Sequence, residues 1–528
     1  MEKRFEPYLT KVLDQAPRLL GQMDRNPLSN TYGCFDRQYW HYSVSDFPCS
    51  RHQEAVLTLA LLYQIKHKKN PYYKNPKMKE WIRAALKFWM KMQSKDGSMS
   101  EWYPNEHSFG PTAFGVYAVS DTLLLMGNEI GDRDEIIIHL KRSADWLMKR
   151  SELRAQNQEC GSIAGIYNVY LLTKDEKYKK IVQEKIKIMK SLQHKDGWFD
   201  EYSGADIGYL SLALFYLTDL YKKSKMAIVK KIIDKSVDFM SYFVHPDMTF
   251  GGVYGSRNTE YIFPFCFEFF AKGNASMIAK HSRESISNNV CVSPFSLDDR
   301  YLAYITYVYL KSYLESNTLR TISIPPYKKK LVKEFVDAGL LVYSKNGTYI
   351  IINYRKGGSF FAFVKGKSYI DSGIEVESNK TFTSGVLSNH NRQFDGKTLE
   401  VSGNLSVLKN RTMNPKRNVM LRLFQMSLGK SGRIGTFMKN AFRNKMITNV
   451  YDSDFRFTRK ITLGNKINIY DEVKGNDTIK KVFVGTKSSY IYVPSSRYFQ
   501  LNDLESSHTE VQESKINKNE FSLTRTIG

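Results

Sequence analysis

One eight-residue pattern occurs twice in this 528-residue chain. Lys95-Asp96-Gly97-Ser98-Met99-Ser100-Glu101-Trp102 returns 100 residues later as Lys195-Asp196-Gly197-Trp198-Phe199-Asp200-Glu201-Tyr202. Each copy follows a basic helical stretch and precedes an apolar run of helical period. Recurrence at a fixed interval marks stacked supersecondary units, and it narrows the choice of folds more than any other feature here. Weaker punctuation falls between and around the copies. Asp46-Phe47-Pro48, Gln156-Asn157-Gln158, Phe250-Gly251-Gly252 and Ser293-Pro294 also stand just before helical runs. The unit is therefore about 50 residues, room for two helices and two short turns.

The first 315 or so residues read as paired helices. Runs of apolar and small residues lie near 51–66, 108–127, 157–173, 205–222, 259–272 and 296–315. Several are apolar nearly all round, as in 54–63 and 210–217, and a helix apolar on every face is buried on every face. Between them, near 78–94, 133–151, 175–192 and 224–243, the pattern is an apolar stripe beside a lysine face, that of an outer helix. Buried and half-buried helices in alternation predict two concentric rings, an α/α toroid of up to six hairpins. The loops leading into the inner helices then gather at one rim. They carry His107, Asn157, Glu159, Tyr202, Asp206, Arg257 and Asn258, and loops on a rigid scaffold are where function concentrates.

After about residue 318 the period changes. Ile322-Ser323-Ile324-Pro325-Pro326 marks the boundary, and short runs such as 349–354, 360–364 and 466–470 follow, separated by turn pairs such as Asn346-Gly347 and Gly464-Asn465. This predicts a toroid domain over 1–317 and an antiparallel β-sandwich over 318–528, with an irregular insertion holding a short helix near 430–450.

Hydrophobic content of 42% with 13% aromatics supports large cores and argues against disorder. The net charge of +25 suits an acidic partner (a polyanionic glycan, a nucleic acid or a membrane surface), or simply reflects a lysine-rich composition. No basic run is dense enough for a nucleic-acid arm, so no nucleic-acid partner is expected. No apolar stretch near the start resembles a signal peptide, and no run of about 18 apolar residues would span a bilayer. The five cysteines are scattered and show no metal-site spacing, which fits a reducing compartment. The expected location is the cytoplasm.

A helical toroid joined to a β-sandwich resembles the heparinase II/III-like polysaccharide lyases. Gln156-Asn157-Gln158-Glu159-Cys160-Gly161 is similar to that family's Asn-His-Gly segment, and 196–209 to the segment carrying its catalytic tyrosine. His390-Asn391-Arg392-Gln393-Phe394-Asp395 resembles its histidine-aspartate strand entry, and Gly33-Cys34-Phe35-Asp36-Arg37 resembles the start of heparinase-like proteins encoded near polysaccharide genes. Two family histidines are replaced, by Gln158 and Arg392. The second helps bind a structural metal in some members, so neither a metal nor any other cofactor is expected.

The resemblance implies β-elimination at a uronic acid of an acidic polysaccharide. Removing the C5 proton beside a carboxylate needs a neutraliser, a base and an acid for the leaving oxygen. Asn157 is the expected neutraliser, Tyr209 the base or acid, and His390 a complementary proton carrier. Arg257, whose planar fork suits a carboxylate, is the expected substrate binder. His107, Glu159, Tyr261 and Trp102 complete the substrate-binding candidates. Six of these have an ordinary structural alternative. Tyr209 fits a core tyrosine, Asn157 a helix N-cap, His390 a turn, His107 a first-turn surface residue, Arg257 an ion pair with Glu260, and Trp102 the closure of a hairpin core. Three other functions share this equipment. A uronyl C5-epimerase begins with the same proton abstraction. A toroid glycoside hydrolase would use paired carboxylates among Asp96, Glu101, Asp196, Asp200, Glu201 and Asp206. A non-catalytic glycan-binding protein of polysaccharide synthesis would keep the scaffold alone.

Overall fold

The computed structural model describes residues 4–291, 293–408, 414–432, 434–435, 437, 451–485, 509–510 and 515–528. Six inner helices, Ala55–Gln64, Phe109–Met126, Gln156–Thr173, Ile207–Ser224, Phe265–Phe270 and Asp299–Glu315, close into a ring in which each packs on the next and the last on the first. Six outer helices, Glu6–Gln22, Pro76–Met92, Arg133–Met148, Glu176–Leu192, Ala227–Met240 and Asn274–Ser287, back them one for one. The first and last outer helices escape the sequence pattern. Pro17 interrupts the first, and serines and a histidine blur the apolar stripe of the last.

The repeat is a packing device. Gly97 and Gly197 both have φ near +100° (+93 and +108), and a Cβ on either would lie 2.4 or 2.2 Å from a carbonyl oxygen of the next outer helix, that of Arg142 or Lys235. Only glycine gives both the left-handed backbone and the close approach. Gln93 and Gln193 then seal each turn, reaching the serine of that neighbouring helix, Ser143 at 2.7 Å and Ser236 at 3.0 Å.

The expected inner helix over 259–272 shrinks to Phe265–Phe270, because Pro264 sets its start. The preceding stretch, 251–264, is an extended buried loop. Its backbone is satisfied by neighbours: Gly252 N–H donates to Thr259 at 2.9 Å and Ser256 N–H to Ala205 at 2.8 Å, as buried polar groups require.

A parallel pairing of Arg320–Ile322 with Lys272–Gly273 ties the exit from the last helix onto the toroid. A five-stranded antiparallel meander follows, Leu331–Phe335, Leu340–Lys345, Thr348–Asn353, Ser359–Val364 and Lys367–Asp371. One face (Ile350, Ile352, Phe360) joins a core shared with the larger sheet that includes Thr398–Val407, Asp452–Thr462, Ile467–Lys474 and Glu520–Ile527. The other face (Tyr349, Ile351, Phe361, Phe363) joins the toroid core. Being covered on both sides explains why 349–352 is continuously apolar rather than alternating. A helix over Pro415–Met426 precedes the expected insertion; within 430–450 the described residues 432, 434, 435 and 437 are helical, and most of the range lies outside the described residues.

Candidate active site

The loops entering the third, fourth and fifth inner helices are stitched together. Ala155 bridges to Glu201, and the Ser256 hydroxyl donates to the Glu201 carbonyl at 2.8 Å. Four buried polar residues follow from this stitching. Asn157, in the first turn of Gln156–Thr173, donates through its amide to Glu201 Oε2 at 2.5 Å, so it is not the helix cap, which is Ala155. Asp206 caps Ile207–Ser224 by accepting from Tyr209 N–H at 3.1 Å, and its other oxygen accepts from Arg257 N–H at 3.0 Å. One carboxylate thus fixes the helix turn carrying Tyr209 and the loop carrying Arg257. Thr259 Oγ1 also donates to it.

Arg257 is buried, with its guanidinium 4.2 Å from the centre of the Tyr202 ring and its Nε without a hydrogen-bond partner among the described residues. Arg257 is therefore not a surface residue. Burial pushes the Glu201 carboxyl up to about 8, against the opposing pull of Arg257, with Asp206 adding to the rise. Burial likewise raises Asp206, opposed by its hydrogen bonds. At neutral pH Glu201 is therefore largely a neutral acid beside an arginine.

Tyr209 is half-buried rather than a core residue. Its ring meets Tyr261 edge-on at 6.1 Å. Tyr261 lies behind it, 3% exposed, its hydroxyl without a hydrogen-bond partner among the described residues and its pKa raised by burial. The aromatic line continues through Phe263 and Tyr304 to Arg51, whose guanidinium stands 4.9 Å from the Tyr304 ring and 2.5 Å from Glu54. Burial pushes Glu54 up to about 7, against Arg51. Beyond it Arg300 lies 4.0 Å over the Trp102 ring, which is 50% exposed, and 3.5 Å from Glu101.

Several expected residues stand elsewhere. Glu159 is not available to substrate: Lys185 Nζ occupies one oxygen at 2.6 Å and Glu152 N–H the other at 2.8 Å. His107 sits between the Ser98 hydroxyl at 2.8 Å and Asp96 at 2.9 Å, under Gly432 and Gly435 of the insertion. Burial raises the Asp96 carboxyl, but hydrogen bonds from His107 and Ser98 hold it well below the usual carboxylate range. His390 is half-buried, its ring 5.0 Å from Phe457 and against Gly403, and burial pushes its imidazole down to about 4. It is Leu387, three residues earlier, that would touch a Cβ at Gly204 on the rim. The neighbouring Arg392 pairs with Glu334 at 2.8 Å and stacks over Tyr354, so this corner does not fit a metal.

Sequence reasoning placed Glu201 only among the hydrolase carboxylates and passed over Arg51 and Glu54. The available signal for Glu201 was its place at the end of the second repeat copy. Nothing in the sequence marks Glu54, which lies in the middle of a buried run.

No protein-family model matches the sequence, and no curated protein matches it. Solved structures do. Xanthan lyase from Paenibacillus superposes with a TM-score of 0.53 at 13% identity, over 90% of this chain and 46% of that one. Chondroitin AC lyase from Streptomyces coelicolor A3, in complex with chondroitin sulphate, gives 0.54 at 8% identity, over 90% and 68%. The chain has the polysaccharide-lyase fold of helical toroid and β-sandwich. It spans about half the length of the xanthan lyase chain. Heparan sulfate lyase HepC from Pedobacter heparinus gives 0.41 at 10% identity, over 98% and 82%.

Proposed function

We propose that this protein cleaves a uronate-containing acidic glycan by β-elimination. The observation that carries the reading is the joining of Asn157, Glu201, Arg257 and Tyr209 through shared hydrogen bonds and charge at one rim. A substrate carboxylate beside Arg257, Asn157 and the neutral acid Glu201 finds three groups able to stabilise the negative charge that builds on it when C5 loses its proton. Tyr209, half-exposed, takes the C5 proton as phenolate. The C4–O bond then breaks, C4 and C5 become doubly bonded, and the Tyr209 hydroxyl returns the proton to the leaving oxygen. No step is assigned to His390, whose half-buried ring lies against Phe457 and Gly403. The likeness in fold to enzymes named as xanthan and chondroitin lyases supports an acidic glycan as substrate, as does the net charge of +25.

The test is an ultraviolet absorbance assay over a panel of acidic glycans. A rise from the unsaturated uronate establishes elimination. Solvent deuterium incorporation without cleavage makes the protein an epimerase. New reducing ends without absorbance make it a hydrolase, and binding with none of these makes it a glycan-binding protein.

A further inference from the structure

The helix Pro415–Met426 is mounted inside out. Its polar side faces the protein: Arg422 pairs with Asp46 at 3.0 Å, Gln425 is buried, and the Gln425 carbonyl accepts from Asn105 Nδ2 at 3.2 Å. Its apolar side faces outward, with Val419 58%, Met420 71%, Leu423 63% and Met426 70% exposed. These four occupy one stripe of a helix, at spacings of one, three and three residues. Leu428 continues the stripe at 60%. An amphipathic helix in a globular protein ordinarily turns this stripe inward, and an exposed contiguous apolar patch of this kind marks an interaction surface.

The charge around it is one-sided. From residue 401 to 451 the sequence has no aspartate or glutamate, against ten lysines and arginines. Lys416, Arg417 and Lys430 are exposed beside the stripe. Aliphatic side chains flanked by lysine and arginine, with the polar contacts turned away, form the pattern of a helix that lies in the plane of a membrane interface. We infer that this helix docks the protein onto the surface of a bilayer containing anionic lipids. A soluble polyanion satisfies the cations but leaves Val419, Met420, Leu423 and Met426 in water, as well as Phe437, 71% exposed in the same insertion. A second copy set face to face brings basic flank against basic flank. A bilayer takes both the apolar stripe and the positive rim, with each cation near the surface adding to the attraction. No described helix is long and apolar enough to cross a membrane. The insertion also covers the His107 loop, which sets the toroid rim beside the lipid surface.

The experiment is vesicle flotation with the full chain, on phosphatidylcholine alone and with about 30 mol% phosphatidylglycerol. The protein should float with the anionic vesicles, remain behind with the neutral ones, and bind less as salt rises. Met420→Asp with Leu423→Asp should reduce the floated fraction at least about tenfold, and Lys416→Glu with Arg417→Glu should weaken it in a salt-dependent way. Because these side chains are exposed, folding should be retained, as far-ultraviolet circular dichroism checks. Leu423→Trp gives an independent readout, an emission blue-shift on adding anionic vesicles. Failure of the full chain to float at low salt overturns the inference, as does flotation of the double aspartate variant at the unmodified level. So does a dimer in sedimentation velocity that the aspartate variant dissolves, which would assign the face to a second copy.

Discussion

Asn157 and Glu201, 44 residues apart in sequence, share a 2.5 Å hydrogen bond across two neighbouring rim loops. The bond makes the amide and the carboxyl one unit. Glu201 accepts from Asn157 and stands close enough to Arg257 for its charge to be felt, so an anion entering here meets an amide, a guanidinium and an un-ionised acid together. Glu201→Gln keeps the size and the ability to accept from Asn157 but cannot ionise. Since burial has raised the Glu201 pKa from 4.5 to about 8, the native protein loses stability as pH rises through that window, where the buried group must charge. Glu201→Gln should flatten this loss, so that its denaturant midpoint exceeds that of the native protein by more at pH 9 than at pH 5. If the protonated Glu201 assists turnover, the rate of the native protein should fall above about pH 8, and that fall should be absent in the variant. Parallel pH profiles for the two proteins would remove Glu201 from the site.

Tyr209→Phe removes only a hydroxyl from a half-buried ring. Turnover should drop by about 100- to 10,000-fold, the usual contribution of a general acid–base group, while glycan binding measured by calorimetry and the thermal midpoint stay near native. Undiminished turnover would move the proton carrier elsewhere on the rim.

The toroid was legible in the sequence because its inner helices are apolar all round and its Asp-Gly turns recur, both local signals. The sandwich was legible from its change of period. The site was legible only in part. Asn157, Tyr209 and Arg257 lie on loops that the repeat brings to one rim, so their spacing carries information. Glu159 stands two residues from Asn157 on the same helix turn, but 3.6 residues per turn point it outward to Lys185. His390 follows a loop that does reach the rim through Leu387, yet its half-buried ring packs against Phe457 in the space that the small Gly403 leaves. Side-chain direction, unlike loop order, depends on partners distant in sequence. Arg51 and Glu54 are invisible for the same reason, since only the closed ring brings them against Tyr304 and Tyr307.

The sandwich holds a buried charge network. Arg459, fully buried, bonds Asp471 at 2.6 Å and Asp371 at 2.9 Å, and Arg525 reaches both carboxylates. Burial raises the Asp371 carboxyl, but the two guanidiniums more than reverse this and hold it below its ordinary value of 3.8. Its stabilising contribution is therefore present above about pH 4 and lost as pH falls below it. Arg459→Leu leaves two buried carboxylates short of a partner and should cost about 3–5 kcal/mol in urea unfolding. A cost under about 1 kcal/mol would show that Arg525 alone satisfies the pair.

Lys356 links the sandwich to the rim. Its amino group, buried between the domains and with its pKa pushed down to about 7 by that burial against the pull of Asp206, donates to the carbonyls of Val253 at 2.5 Å and Gly255 at 2.8 Å and to the Asn258 side chain. Those residues flank Arg257 on the extended loop, so a β-domain residue holds the toroid loop that presents the guanidinium. Lys356→Met keeps much of the aliphatic stem and removes all three donors. The loss should lower stability by about 3 kcal/mol in denaturant unfolding, since acceptors buried at the interface lose a charged donor. On the proposed assignment of Arg257 to substrate binding, it should also loosen the loop and raise KM for the acidic glycan with a smaller change in kcat, since Tyr209 remains fixed through Asp206. Lys356→Arg restores the charge and should recover part of the stability. An unchanged KM in a destabilised Lys356→Met protein would separate the domain contact from the site and leave Lys356 a purely structural residue.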